Sequence, residues 1–205
     1  MQDLNFCYTI YTYFLFLKCK KDKLERKKYE ENIYILLTKY QSFAANVMTY
    51  ITRFNYTHAS IGLEEDMNTF YSFVNKGFIE EKINRYVKPG RKPFKCKLFE
   101  LEVTEKVYNA IKSLIEKFKA IKEQLQYSKK GLACCFLHIP YKKQNKYFCS
   151  QFVASILEKS EAVKLKKNSS LYLPKDFTKI KNIKEKFTGN HGTFLTRFNI
   201  PQYAR

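Results

Sequence analysis

The sequence lacks the motifs that would indicate metal or nucleotide chemistry. Its six cysteines include no Cys-x-x-Cys pair, so a zinc site has little support. No Gly-rich phosphate loop, internal repeat or heptad run is present, and nucleotide binding therefore has no support either. Zinc-finger, RRM and KH motifs are absent as well. We expect a protein that uses neither a metal ion nor a cofactor.

The cysteines also lack the regular spacing of a disulfide framework. Cys134 and Cys135 are adjacent, which is more typical of small core residues than of a vicinal disulfide. The other four are Cys7, Cys19, Cys96 and Cys149. Free thiols indicate a reducing compartment, and we expect a cytoplasmic protein.

Arginine is scarce, and the positive charge of the chain is nearly all lysine. Lys and Arg together number 38 against 19 Asp and Glu, which gives a formal net charge of +19. The lysines are spread along the chain, and this favours a solvated basic surface over a dedicated nucleic-acid face. Nucleic acid is therefore not the expected partner, whereas basic loops leave an anionic membrane surface open as one.

The first apolar stretch, residues 4–17, is followed by the basic run 18–21. It is shorter than the ~20 residues that span a bilayer, and it lacks the basic start and small-residue cleavage site of a signal peptide. Two interpretations remain open for it. It is either an extra packed element, which we favour, or an interfacial anchor that would hold the protein peripherally on a membrane.

Hydrophobic periodicity over the remaining chain predicts short strands and helices around one core. The predicted strands are 33–38, 58–63, 69–74 and 94–101. A first helix is predicted over 42–53, with Phe43, Val47 and Ile51 on one stripe. A second, longer helix is capped by Thr104, and its apolar face consists of Val107, Ile111, Leu114, Ile115, Phe118, Ile121 and Leu125. Residues 131–147 are expected to form a loop that leads to a further helix.

That further helix begins at Cys149. Phe152, Val153, Ile156 and Leu157 form one apolar stripe behind it. The unsatisfied N–H groups and the dipole at a helix N-terminus stabilise a thiolate, so this position favours a reactive cysteine. The alternative is a small buried cysteine that happens to start a helix.

A nucleophilic cysteine needs a base, and the chain has only three histidines. His58 starts a short predicted strand, where an imidazole can face a cleft while its apolar neighbours face the core. A purely structural role for His58 is the alternative. His138 resembles a loop or core residue, and His191 lies in a Gly-flanked tail.

Two sequence blocks carry a resemblance to a known family. They are a Thr-His-small-Ser-Ile strand at residues 57–61 and, later in the chain, Phe-Cys-Ser-Gln-Phe-Val-Ala at 148–154. Together they resemble the circularly permuted papain-fold cysteine hydrolases, the YiiX-like branch of the NlpC-type superfamily. In that branch the histidine precedes the cysteine, as here. Similar blocks stand at 32–38, 70–73, 173–177 and 185–189. The resemblance implies an α+β, permuted papain-like fold over residues 32–190, with a small antiparallel sheet packed against the cysteine helix and a second long helix. Residues 1–31 would be an N-terminal extension and 191–205 a C-terminal tail.

The resemblance also implies catalytic roles. Cys149 would be the nucleophile and His58 the base, with the Cys149 backbone N–H and Tyr147 assisting at the oxyanion. The family has a third polar residue after the histidine strand. Ser72 is the first candidate and Glu80 the second, because Glu80 or its neighbour Glu81 could supply a carboxylate that serine cannot.

We therefore predict a thiol hydrolase or acyltransferase that acts on an amide, ester or thioester, with a peptide, a cell-wall fragment or a lipid acyl group as substrate. The alternative is a catalytically inactive papain-fold module that binds anionic lipid or nucleic acid. The charge of the chain and the lack of an obvious carboxylate partner for His58 motivate this alternative.

Overall fold

A computed structural model describes Lys18 and residues 31–39, 43–86 and 93–201. The apolar segment 4–17 lies outside these residues. The strands are β1 (Glu31–Thr38), β2 (His58–Leu63), β3 (Thr69–Val74), β4 (Gly77–Lys82), β5 (Lys95–Val103), β6 (Gln126–Tyr127), β7 (Lys146–Tyr147) and β8 (Lys184–Asn190). The helices are α1 (Phe43–Thr52), α2 (Glu105–Ala120), α3 (Lys129–Phe136), α4 (Cys149–Lys159) and α5 (His191–Arg197), with short 3₁₀ turns at Ile83–Tyr86, Lys122–Gln124, Ser169–Leu171 and Pro174–Lys179.

Six strands form one antiparallel sheet in the order β4-β3-β2-β1-β5-β8. β1 lies inside it and is buried from Ile33 to Thr38. A strand whose two faces are both covered has a nearly continuous apolar sequence rather than an alternating one. This explains the run Ile-Tyr-Ile-Leu-Leu at 33–37. The expected α+β class with an antiparallel sheet is confirmed.

One face of the sheet packs against α4, whose residues Cys149–Leu157 are all buried. A helix that is buried all round must be covered on every side. Here β2 and β3 contact it, as do the turn Ser169–Leu171 and helix α2. The core of this face includes Ile35, Ile61, Phe73, Phe152 and Ile156. The nucleophile helix of the sequence prediction is thus a central element of the core.

Helix α5 covers the opposite face of the sheet. Its residues Phe194 and Leu195 are buried there with Leu36, Phe70 and Leu98. Residues 191–205 were predicted to form a C-terminal tail. The described part of this segment, up to residue 201, instead includes a helix that packs against the sheet.

Several local expectations hold. Strands 58–63 and 69–74 have the predicted bounds. Thr104 caps α2, because its Oγ1 accepts a hydrogen bond from the Val107 N–H at 3.3 Å. The expected face of α2 extends too far, since the helix ends at Ala120 and Ile121 is 38% exposed.

Two other expectations need correction, and one strand was missed. Ile51 does not belong to a buried stripe of α1, because it is 55% exposed. The loop predicted over 131–147 contains most of α3, where Ser128 Oγ caps the helix by accepting from the Gly131 N–H. The strand β4 (Gly77–Lys82) was not predicted at all. No helix among the described residues is long and apolar enough to cross a membrane.

The turn between β3 and β4 depends on Gly77. This residue has φ +100°, and a Cβ added to it would collide with the Leu125 carbonyl oxygen. We expect Gly77→Ala to lower the free energy of unfolding by about 1–3 kcal/mol, measured by urea denaturation. The exposed neighbour Lys76 gives the control, and Lys76→Ala should change stability by less than about 0.5 kcal/mol. Equal effects of the two substitutions would contradict this explanation of the turn.

Candidate active site

The first turn of α4 fixes the position of Cys149. Phe148 precedes the helix with extended backbone angles, and its N–H donates to Gln151 Oε1 at 3.5 Å. The hydroxyl of Ser150 donates to the Tyr172 carbonyl oxygen at 2.7 Å. This hydrogen bond connects the first turn of α4 to the segment that follows the 3₁₀ turn Ser169–Leu171. Because Cys149 is the first helical residue, the N–H groups of this turn have no helical partners. They are available to an anion.

His58 is the first residue of β2, and its strand is held at this end by β1. The Thr57 N–H donates to the Thr38 carbonyl oxygen at 3.0 Å, and Thr38 is the register partner of His58. The imidazole is 4% exposed. Its Nε2 lies 3.1 Å from Oε2 of Glu81 on β4, and the ring also hydrogen-bonds the Cys149 thiol. One imidazole therefore joins a carboxylate and a thiol in the interior.

This environment favours the thiolate form of Cys149. Burial alone would raise the pKa of the thiol, but the hydrogen bond and positive charge of His58 oppose it. The backbone N–H groups of Ala59 and Ser150 act in the same direction. The net result is a pKa of Cys149 below the ordinary value. The thiolate is the nucleophilic form of cysteine.

The same contacts favour the imidazolium form of His58. Burial alone would lower the pKa of His58, because it penalises the charged ring. The negative charge of Glu81 and the hydrogen bond with Cys149 outweigh this penalty, and the pKa is raised. Thiolate and imidazolium thus stabilise one another as an ion pair, with Glu81 as a second counter-charge.

Two other buried cysteines behave in the opposite way. Burial raises the pKa of Cys96 to about 12 and that of Cys135 to about 11. Neither has an imidazole that hydrogen-bonds its sulfur among the described residues. Burial alone therefore suppresses thiolate formation in this protein, and the contacts of Cys149 reverse the effect.

The carboxylate beside His58 belongs to Glu81 rather than to the two candidates ranked from the sequence. Ser72 is buried, but its hydroxyl donates to the Ala59 carbonyl oxygen at 2.6 Å. Glu80 points outward, with 43% of its side chain exposed and Lys82 Nζ at 3.7 Å. Adjacent residues of a strand point to opposite faces. The choice between Glu80 and Glu81 therefore required β4 and its register, which were not predicted.

The tyrosine expected to assist at the oxyanion, Tyr147, lies in an aromatic cluster. The ring of Tyr147 packs at 5.3 Å from Phe73 and 5.4 Å from Phe118. Tyr127 is its register partner on β6 and was not considered from the sequence. Burial raises the pKa of Tyr127, and the negative charge of Cys149 raises it further, so this phenol lies within electrostatic range of the thiolate. Tyr127 lies near Cys149 because β6 pairs with β7, the strand that leads into α4.

The other two histidines are placed elsewhere. His138 is exposed at the end of α3, with φ +60°. His191 is buried, its ring stacks on Phe94 at 4.4 Å between centroids, and its Nδ1 accepts from the Phe94 N–H at 3.2 Å. Burial lowers the pKa of His191, which favours the neutral ring. Over residues 31–39, 43–86 and 93–201, no group of three or more His, Cys, Asp or Glu side chains could hold a metal ion.

No family model matches this sequence, and no curated protein matches it either. The chemistry of the site is therefore inferred from its own geometry.

Cys149 should react with iodoacetamide at a lower pH than an ordinary thiol of pKa about 8.5. We expect His58→Ala to slow alkylation of Cys149 at pH 6 about tenfold or more, because each unit of thiol pKa costs a factor of ten in thiolate below that pKa. Mass spectrometry of individual peptides measures the rate at each cysteine. Cys96 and Cys135 should stay unreactive at neutral pH in both proteins. An unchanged pH profile of Cys149 in His58→Ala would contradict the ion pair.

The adjacent glutamates allow a matched test of the carboxylate. Glu81→Gln removes the charge that raises the pKa of His58, so the imidazolium and the thiolate should both be less populated. We expect alkylation of Cys149 at pH 6 to slow several-fold in Glu81→Gln, which corresponds to a change of about half a pKa unit or more. Glu80→Gln makes the same chemical change at an exposed site and should leave the rate unchanged. A reversed or equal effect would mean that Glu81 does not act on His58.

Proposed function

We propose that this protein is a cysteine-dependent hydrolase or acyltransferase that forms an acyl-enzyme at Cys149. The observation that carries this proposal is the position of His58, which lies between the Cys149 thiol and the Glu81 carboxylate. Nucleophile, base and orienting carboxylate in mutual contact are the requirements for nucleophilic catalysis at a carbonyl. An amide, ester or thioester of a peptide or lipid acyl group is the substrate class that such a site would attack.

The reaction would begin with attack of the Cys149 thiolate on the carbonyl carbon. The imidazolium of His58 donates its proton to the leaving amine, alcohol or thiol, and the acyl group stays on Sγ as a thioester. Neutral His58 then takes a proton from water or from another acceptor, which attacks the thioester and releases the acyl product. Through both steps Glu81 orients the ring and stabilises its charged form.

Stabilisation of the oxyanion would come from the start of α4. The Cys149 N–H belongs to the first helical turn and has no partner within the helix. A backbone donor aimed at developing negative charge in a water-poor site is worth more than the same donor in water. Tyr127 is the second candidate, because it lies on β6, which pairs with the strand β7 that leads into α4.

We further propose that the fold is a permuted papain-like fold of the NlpC-type superfamily. Two features support this. The histidine strand β2 precedes the cysteine helix α4 in the chain, and α4 packs on the antiparallel sheet that contains β2. The alternative of an inactive binding module was motivated by the charge of the chain and by the lack of a carboxylate for His58. Glu81 removes the second of these reasons.

Acylation of Cys149 tests the proposed function directly. With p-nitrophenyl acetate as substrate, we expect release of p-nitrophenol with an acetyl group transiently bound to Cys149, detected by intact-mass and peptide mass spectrometry. His58→Ala should lower the acylation rate about a hundredfold or more. Cys149→Ala should abolish the adduct, whereas Cys135→Ala serves as the control at another buried cysteine and should retain it. Undiminished esterase activity in Cys149→Ala would exclude this mechanism.

A further inference from the structure

A basic cavity lies beyond the C-terminal end of α4. The chain that follows this helix and the turn Pro174–Lys179 line a cavity of about 420 Å³. This volume lies within the range of small-molecule sites in proteins. Cys149, His58 and Glu81 are not among the residues that line it. The cavity is therefore a separate feature from the candidate active site.

Lysine is the commonest residue type in the lining of this cavity. Five of its eleven lining residues are Lys164, Lys166, Lys167, Lys179 and Lys181. Only one carboxylate faces them, that of Asp176, so the lining carries four more positive charges than negative ones. An anion bound at this lining would be attracted by the positive charge of these lysines.

The one carboxylate is already engaged. Lys167 Nζ lies 2.8 Å from Asp176 Oδ2, and the same oxygen accepts the Leu173 N–H at 2.8 Å. Among the described residues, Lys164, Lys166, Lys179 and Lys181 form no ion pair with a carboxylate. Their charges are therefore available to a ligand.

The wall that carries these lysines is fixed by buried contacts. Tyr172 is 4% exposed, and its hydroxyl accepts the Lys166 N–H at 3.2 Å. The Tyr172 carbonyl oxygen accepts the hydroxyl of Ser150 at 2.7 Å. The ammonium group of Lys167 lies 5.4 Å above the Tyr172 ring. The backbone around the cavity is thus preorganised, and only lysine side chains must adjust to a ligand.

A second cavity has a different charge, so the lysines at the first cavity do not simply follow from the high positive charge of the whole chain. That cavity, of about 260 Å³, is lined by the carboxylates of Glu65, Asp66 and Glu80 together with Lys82 and Lys119. Its carboxylates outnumber its lysines. Positive charge is therefore concentrated at the first cavity, although lysines are spread over the sequence.

We propose that the lysine-lined cavity binds an anion that carries several phosphate groups, either free in solution or as the headgroup of a lipid. Lysine is a compact charge that suits phosphate. A single phosphate dianion would balance only half of the four excess charges, whereas two or more phosphates match them. This site goes beyond the proposed function, because its ligand need not be the substrate of Cys149.

Calorimetric titration of the full chain with inositol hexakisphosphate at physiological salt tests the proposal. We expect saturable binding that the triple variant Lys164→Gln/Lys166→Gln/Lys179→Gln weakens about tenfold or more. The matched control is Lys106→Gln/Lys117→Gln/Lys129→Gln, which removes the same net charge from exposed positions on α2 and α3. Because the Debye length is ~8 Å at this salt, the control should weaken binding less than about threefold.

The vesicle arm distinguishes the two sources of phosphate. Binding of the protein to phosphatidylcholine vesicles that contain phosphatidylinositol bisphosphate, lost in the cavity variant and kept in the control, would assign a lipid headgroup. Cavity-dependent binding of inositol hexakisphosphate without vesicle binding would assign a free polyphosphate. Equal weakening in both triple variants would overturn the proposal, because it would mean diffuse attraction. The proposal would also be overturned if the protein bound neither inositol hexakisphosphate nor the vesicles. It would likewise be overturned if the cavity were needed only for binding of single-stranded DNA. Cys149→Ala should bind as the wild type does, so failure of the proposed enzymatic function leaves this result unaffected.

Discussion

The buried contact between His58 and Glu81 is the constraint on which the candidate site depends. Cys149, His58 and Glu81 are each less than 5% exposed. An isolated charge at such a depth would be strongly destabilising, and each group alone would lose its charge. Here one imidazolium contacts both the thiolate and the carboxylate and stabilises each of them. Removal of any one changes the protonation of the others, and this is why the predicted effects of His58→Ala and Glu81→Gln both appear at the sulfur of Cys149.

The fold brings these three groups together from distant parts of the sequence. Cys149 is held by a helix that is buried all round, and His58 by the end of a strand paired to β1. Glu81 comes from β4, at one edge of the sheet and separated from β2 by β3. The antiparallel order of these strands therefore has a chemical consequence. It brings a carboxylate 23 residues beyond the histidine into contact with its ring.

Local sequence signals predict Cys149 and His58 but not the third group, Glu81. The apolar stripe behind Cys149 predicts α4, and alternation predicts the strand that begins at His58, because both patterns arise within one element. Glu81 differs from Glu80 only by the face of β4 on which it lies. That face depends on pairing with β3, which is a tertiary property. Ser72 lies on a strand that the sequence predicted, whereas Glu80 lies on β4, which had not been recognised. Ser72 was therefore ranked above Glu80.

Composition likewise does not predict where on the structure positive charge is concentrated. A net charge of +19 spread along the sequence is compatible with a uniformly solvated surface, and most lysines fit that description. The chain after α4 departs from it, since its fold around Tyr172 and the turn Pro174–Lys179 gathers five lysines about one cavity. The buried backbone contacts of this segment keep the lysines at one cavity, where an anion would be attracted by all of them. A bound polyphosphate should therefore stabilise the protein as well as bind it, because a ligand specific for the folded state shifts the folding equilibrium.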